Sequence, residues 1–290
     1  MPVDTARLTI GSTIAMSGAH LDPLVDAYGV DWLLTKLDGW DDGYAAPDSG
    51  VTNRVSDHGG HVSDVFAVPR IVHVEGRLKA PSWDAATLAW ERLMAAVPLS
   101  DQTTMTVAHG VAAVLPTKQA AVRQHEKPVI SERVGGLLSY SLSLIAPDPR
   151  RYSTVLQTAS TGLPFTTGGL SLPIALPISI GATVNSGRLS VVNDGNVASP
   201  PLLSITGPCP APTITHLGSG RRLVVADAID AGRVLTIDTV DQVALLDGTV
   251  LRTVTGSWWH LEPGVNQIAF TAPAFDAGAL LTISFRSAWK

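Results

Sequence analysis

The chain has 290 residues, 45% of them apolar and 16% charged, with a formal net charge of −5. That length allows two domains of ordinary size or one large sandwich, and an acidic balance without any Lys/Arg run excludes the electrostatic footprint of a nucleic-acid or anionic-lipid binder. Twenty-six glycines and 20 prolines in so weakly charged a chain point to a β-rich fold whose turns are frequent and whose solvated faces are built from Ser, Thr and Asn.

The first ten residues lack the basic start and apolar run of a signal peptide, so an unprocessed protein without one is expected. The longest apolar stretch, Leu170 to Ile180, is cut by Pro173 and Pro177 and falls short of the roughly 20 residues of a membrane helix. A soluble protein with no membrane partner is therefore expected. The single cysteine, Cys209, has no internal disulfide partner and sits between Pro208 and Pro210 as a predicted turn residue.

In chain order, Arg7 to Ile14 and Val30 to Leu37 read as short strands. Asp38 to Gly60 is rich in Asp, Gly, Pro, Ser and Asn, the composition of a long loop. It also carries Trp40, Tyr44, His58 and His61, which favours a contact surface over a tether. From Ala67 to Ala80 alternation returns, with Arg70, Val72 and Val74 on one side and Ile71, His73 and Glu75 on the other, broken at Gly76. Trp83 to Val97 is the one predicted helix: Ser82 is a good N-cap, Asp84 suits the positive end of the dipole, and Pro98 stops it. Thr103 to His109, Val111 to Leu115 and Ala120 to Gln124 read as strands, and His125 to Gly136 as a loop.

The central stretch runs from Leu137 to Tyr152 and opens on a half-buried strand. Leu138, Tyr140, Leu142 and Leu144 alternate with serines, the period of two that puts apolar groups on one sheet face. Pro147 and Pro149 end the strand, because proline has no amide hydrogen for the ladder. The exit segment around Asp148, Arg150 and Arg151 is read as a domain junction. This places an N-terminal β-sandwich-like domain with one α-helix in residues 1–150 and a C-terminal β-sandwich in 151–290. In the latter, after a polar connector from Thr154 to Thr167, short runs starting at Arg188, Pro201, Thr213, Arg222, Val234, Gln242, Val250, Asn266 and Ala279 recur with Gly- and Pro-rich turns between them, as in a sandwich or jelly roll.

No catalytic constellation emerges. Asp38-Gly-Trp-Asp-Asp-Gly has the wrong acidic spacing for a calcium loop, with Ser49 where a bidentate Glu is needed. His58, His61, His73 and Glu75 follow no zinc spacing, and no Gly-x-Ser-x-Gly elbow, carboxylate pair or phosphate loop is present. No cofactor or metal is expected, and no enzymatic activity. Trp258 and Trp259 are the candidates for either a glycan contact or packing. Adjacent strand residues point to opposite faces, so at most one of the two would line a groove.

Several phrases carry a resemblance. Val68-Pro-Arg-Ile-Val-His-Val-Glu-Gly76 with its helix, then Leu144-Ile-Ala-Pro-Asp-Pro-Arg-Arg-Tyr152, resemble the first domain of the distal tail proteins of long-tailed phages. Leu189-Ser-Val-Val-Asn-Asp-Gly195, Pro201 to Pro208, Gly232 to Asp238 and Trp258 to Ile268 resemble the C-terminal domain of the same siphovirus tail-component family. The resemblance implies a structural virion protein of a non-contractile tail. Its N-terminal domain would assemble into a ring, typically a hexamer, between the tail tube and the tail-tip hub or baseplate, with tube, tape-measure and hub proteins as partners. The C-terminal domain would be galectin-like or jelly-roll-like. A carbohydrate-binding module for host cell-wall glycan is the alternative.

Overall fold

The computed structural model describes residues 5–19, 21–110, 115–167 and 183–290. The predicted run at Leu170 to Ile180 and most of that at Val111 to Leu115 lie outside them. The chain forms two units, residues 1–154 with Lys290, and residues 155–289. Strands dominate both.

Unit 1 contains β1 (Ala6–Ile10), β2 (Ile14–Ser17), β3 (Asp31–Asp38), β4 (Val51–Asn53), β5 (Gly60–Val62), β6 (Arg70–Lys79), helix α1 (Trp83–Ala96), β7 (Thr103–His109), β8 (Lys118–Gln124), β9 (Val129–Val134), β10 (Leu137–Ala146) and β11 (Arg151–Ser153). The main sheet runs β8-β7-β1-β2-β3-β6-β10, and β10 pairs again with β8 through Leu144 with Gln124 and Ile145 with Arg123. The sheet therefore closes on itself as a barrel, which removes the free edges of those seven strands. β9 continues from β10 and β11 from β8.

The longest register joins β6 and β10 over ten pairs, Leu137 with Lys79 to Ala146 with Arg70. On β10 the alternation holds, with Leu138, Tyr140, Leu142 and Leu144 all buried. On β6 it is Arg70, Val72, Val74 and Leu78 that face inward. Gly76 does not break the strand. A Cβ there would lie 2.5 Å from Tyr140 Oη and 2.7 Å from Cζ, so the glycine is the space into which the tyrosine fits.

Helix α1 begins as the sequence predicts. Ser82 Oγ accepts from the Ala85 amide at 3.2 Å, and Asp84 lies in the first turn. It ends one residue before the predicted limit, with Val97 as its C-cap. The helix buries Ala86, Ala89 and Leu93, while Trp90 tilts against Tyr140 with ring centroids 6.1 Å apart. Trp83 stays half exposed, its ring covered by the guanidinium of Arg133 at 3.5 Å.

Two further readings change in this unit. The predicted strand Arg7 to Ile14 is the hairpin β1–β2, turned at Gly11 with φ +60°. The predicted loop His125 to Gly136 contains β9, paired with β10 across a bulge. β9 is exposed along nearly its whole length, so it lacks the period-two apolar signal that marks a half-buried strand.

Unit 2 contains β12 (Gln157–Gly162), β13 (Phe165–Thr167), β14 (Thr183–Asn185), β15 (Arg188–Asn193), β16 (Leu202–Thr206), β17 (Thr213–His216), β18 (Arg222–Val225), β19 (Val234–Asp238), β20 (Val243–Leu246), β21 (Val250–Arg252), β22 (Val254–Gly256), β23 (Gly264–Thr271) and β24 (Leu280–Phe285). Two antiparallel sheets, β12-β24-β16-β19-β20-β21 and β15-β23-β17-β18-β22, share one core that includes Leu203, Ile237, Ile214, Ile268, Phe270 and Ile283. This is a sandwich. The expected polar connector Thr154 to Thr167 holds β12 and β13, whose serines and threonines satisfy a ladder without an apolar stripe. The single strand read at Val250 to Val254 is two, β21 and β22, one in each sheet.

Asn193 fixes the turn after β15. Its amide donates to the Val197 carbonyl at 2.8 Å and the Leu261 carbonyl at 3.0 Å, and its Oδ1 accepts from Gly195 and Ala288. Gly195 is required there, since a Cβ would stand 1.8 Å from the Ala288 oxygen. Cys209, predicted in a turn, is buried and bridges Ile229 through the backbone. Burial, with Asp276 nearby, pushes its thiol up to about 11, so it stays protonated and inert.

Candidate functional site

Between β3 and β6 the chain leaves the barrel. β4 pairs with β5 through Val51 with Val62, Thr52 with His61 and Asn53 with Gly60. The ribbon continues outward to Arg54 with Gly59 and inward to Ala45 with Val68. No residue from Asp41 to Phe66 is buried. Val55, Val62 and Phe66 are 105%, 81% and 81% exposed. A two-stranded ribbon without a core of its own is marginal in water, and these three apolar side chains are left uncovered on it.

The ribbon's root, by contrast, is pinned. Trp40 is fully buried, and Gly39, at φ +78°, passes so close to β6 that a Cβ would lie 2.1 Å from the Ile71 oxygen. Arg70, inward on β6 and 6% exposed, donates from Nη1 to the carbonyls of Gly39 (2.8 Å), Trp40 (3.1 Å) and Asp42 (2.7 Å). Its Nε reaches the Pro149 carbonyl at 2.9 Å. Asp41 Oδ1 accepts from the buried Arg151 at 2.8 Å, and its Oδ2 lies 3.2 Å from His109 Nε2. The neighbouring His109, then Arg151, hold the Asp41 carboxyl below the usual carboxylate range against the opposing effect of burial.

Sequence reasoning singled out Asp148, Arg150 and Arg151 and missed Asp41, Arg70 and His109. Arg151 pairs with Asp41 within unit 1. Asp148 accepts from Tyr152 Oη at 2.5 Å and faces Arg150 at 3.3 Å. The signal available for Arg70 was its place on the apolar side of β6. An arginine in that register needs partners, and the sequence does not say which carbonyls will supply them.

In unit 2, Trp259 is buried and stacked on His216 at 5.3 Å between ring centroids, and Trp258 packs partly buried on the same core. They stand in an irregular segment, so the opposite-face rule for strands does not apply to them. His216 Nε2 and Nδ1 are engaged by Asn266 Oδ1 at 3.0 Å and Ser219 Oγ at 2.8 Å. Both tryptophans thus contribute packing. His73 and Glu75 lie on the outward face of β6, with Glu75 3.5 Å from Lys36. Among the described residues no three His, Cys, Asp or Glu groups gather as metal ligands, and no helix is long and apolar enough to cross a membrane.

A helix-bearing barrel unit followed by a β-sandwich is an arrangement shared with solved phage tail proteins. The Dit (gp 19.1) protein of phage SPP1, described as a paradigm of the hub adsorption apparatus of phages infecting Gram-positive bacteria, aligns over 91% of this chain and 97% of its own, at 15% identity and a TM-score of 0.59. A chain of the phage P2 baseplate in its activated, calcium-containing conformation aligns over 96% and 97%, at 9% identity and a TM-score of 0.50. No curated protein matches by sequence. Residues 194–289 match the model of the siphovirus-type tail component, C-terminal domain. The matched residues lie within unit 2, and it is this segment that resembles the family.

Proposed function

We propose that the protein is a structural, non-catalytic adaptor of a phage tail tip, which assembles with copies of itself into a closed ring between the tail tube and the tail-tip hub or baseplate. A hexamer is the expected order, and tube, tape-measure and hub proteins are the expected partners in the virion. The observation that carries this reading is the ribbon from Ala45 to Val68: anchored at its root, without a core, and exposing Val55, Val62 and Phe66 along its length. Closed rings need two different patches that meet head to tail, and such a ribbon is suited to be one of them. The buried Trp259 and the partly buried Trp258 on the same core support the packing reading over the carbohydrate-binding alternative.

The test is the solution mass of the full chain by light scattering, beside a variant in which residues 46–66 are replaced by a short Gly-Ser link. Ala45 and Val68 are hydrogen-bonded to each other, so the link closes without strain. The full chain is expected at a closed multiple of 30.4 kDa, and the variant as a monomer with an unchanged unfolding midpoint. A full chain that stays monomeric at high concentration, or a variant that still forms the ring, overturns the assignment of assembly to the ribbon.

A further inference from the structure

Beside the ribbon's root, unit 1 holds a cleft of about 200 Å³ whose lining includes Gly39, Asp42, Gly43, Tyr44, Arg70 and Pro149. It is smaller than the roughly 300–1,000 Å³ of ordinary small-molecule sites, yet several times the roughly 30 Å³ that one water fills in the liquid. One small polar group fits there.

Arg70 dominates its chemistry. The side chain is more than nine-tenths buried, and its Nε and Nη1 are spent on four backbone carbonyls. Its Nη2 has no hydrogen-bond partner among the described residues. Carbonyl oxygens satisfy N–H groups but leave the charge in place, and none of the unit's ion pairs among the described residues includes Arg70. Asp41 is committed to Arg151 and His109, and Asp148 to Arg150 and Tyr152. Asp42 gives Arg70 its backbone oxygen and acts on it with its carboxylate only at longer range. Burial and the like charge of Arg151 pull the Arg70 pKa below the ordinary arginine value. A buried cation with idle donors is an unfavourable arrangement that a counter-anion relieves. At the rim, the Tyr44 hydroxyl is a neutral donor at physiological pH, and burial raises its pKa further.

We propose that this cleft is a carboxylate-binding site, filled by an acidic side chain presented by a protein segment or by a free small carboxylate. The guanidinium of Arg70 supplies the charge and the Tyr44 hydroxyl a second donor, the combination that recognises a carboxylate best. The assignment goes beyond the ring and does not depend on it.

Gly43 gives the test, because a Cβ built there meets nothing within 4 Å. Gly43→Glu places a carboxylate at the lining, and Gly43→Gln is its uncharged equivalent. Thermal unfolding of the full-length wild type and both variants is followed at pH 7 in sodium acetate and in sodium chloride of equal ionic strength, and for the variants again near pH 3. Acetate is expected to raise the wild-type midpoint by about 2–4 °C over chloride. Gly43→Glu is expected to exceed Gly43→Gln by a similar amount at pH 7 and to lose that advantage near pH 3, where the carboxyl is protonated. A Glu advantage without an acetate response assigns the cleft to a carboxylate held on a protein segment; an acetate response alone assigns it to a free carboxylate. Equal midpoints for the two variants, together with equal effects of acetate and chloride on the wild type, overturn the proposal.

Discussion

Asp41 is where one side chain ties the exposed ribbon to the buried barrel. Its partner Arg151 is almost wholly buried, and a buried guanidinium that loses its carboxylate is far more costly than a broken surface pair. Asp41→Asn is therefore expected to destabilise unit 1 at pH 7 by about 1–3 kcal/mol, the range for leaving a buried polar group unpartnered. The sign with pH follows from the lowered pKa of Asp41, caused first by His109 and then by Arg151. A carboxyl whose folded pKa lies below its unfolded value of about 3.9 gives its full stabilisation above that value and loses it as pH falls through the folded pKa. Chemical denaturation at pH 7 and again near pH 3 should show the gap between wild type and Asp41→Asn closing at the lower pH. A gap that stays constant would mean that the residue acts through shape rather than charge.

Element by element, legibility followed the strength of local patterning. β10 was readable because four apolar residues alternate with serines, and α1 because Ser82, Asp84 and Pro98 mark its ends. Ser82→Ala removes the acceptor for the Ala85 amide and is expected to cost about 1 kcal/mol, seen as a lowered denaturation midpoint of unit 1 without change in solution mass. A loss of assembly in this variant would instead assign the helix start to a subunit contact. β9 and β12 were not legible, since exposed or hydroxyl-rich strands have no apolar stripe to announce them. The ribbon was half legible: composition gave a long segment with contact-forming aromatics, while the pairing of β4 with β5 depends on a register too short for periodicity to fix.

In the whole molecule, each unit has a core of its own. Leu144 belongs to the barrel core and Ile205 to the sandwich core, both fully buried. Leu144→Ala and Ile205→Ala should each cost about 2–5 kcal/mol, and calorimetry should show each lowering a different transition. A shift of both transitions by either substitution would mean that the two units unfold as one.

By itself the sequence determined the fold class. A mainly β chain with one capped helix follows from local pattern, which composition and spacing carry, and the phrases that resemble siphovirus tail components include those within residues 194–289 that match the family model. What only the tertiary structure decided was closure and convergence: β10 meeting β8 to complete the barrel, and Arg70, Asp41, His109 and Arg151 gathering around the root of the ribbon. Those residues lie up to 110 positions apart. Nothing local to Asp41 or Arg151 encodes their pairing, which exists because the closed sheet brings β7, β8 and β11 beside the end of β3. Long-range contacts of this kind depend on how the sheet curls, and that is a property of the packed barrel rather than of any one strand.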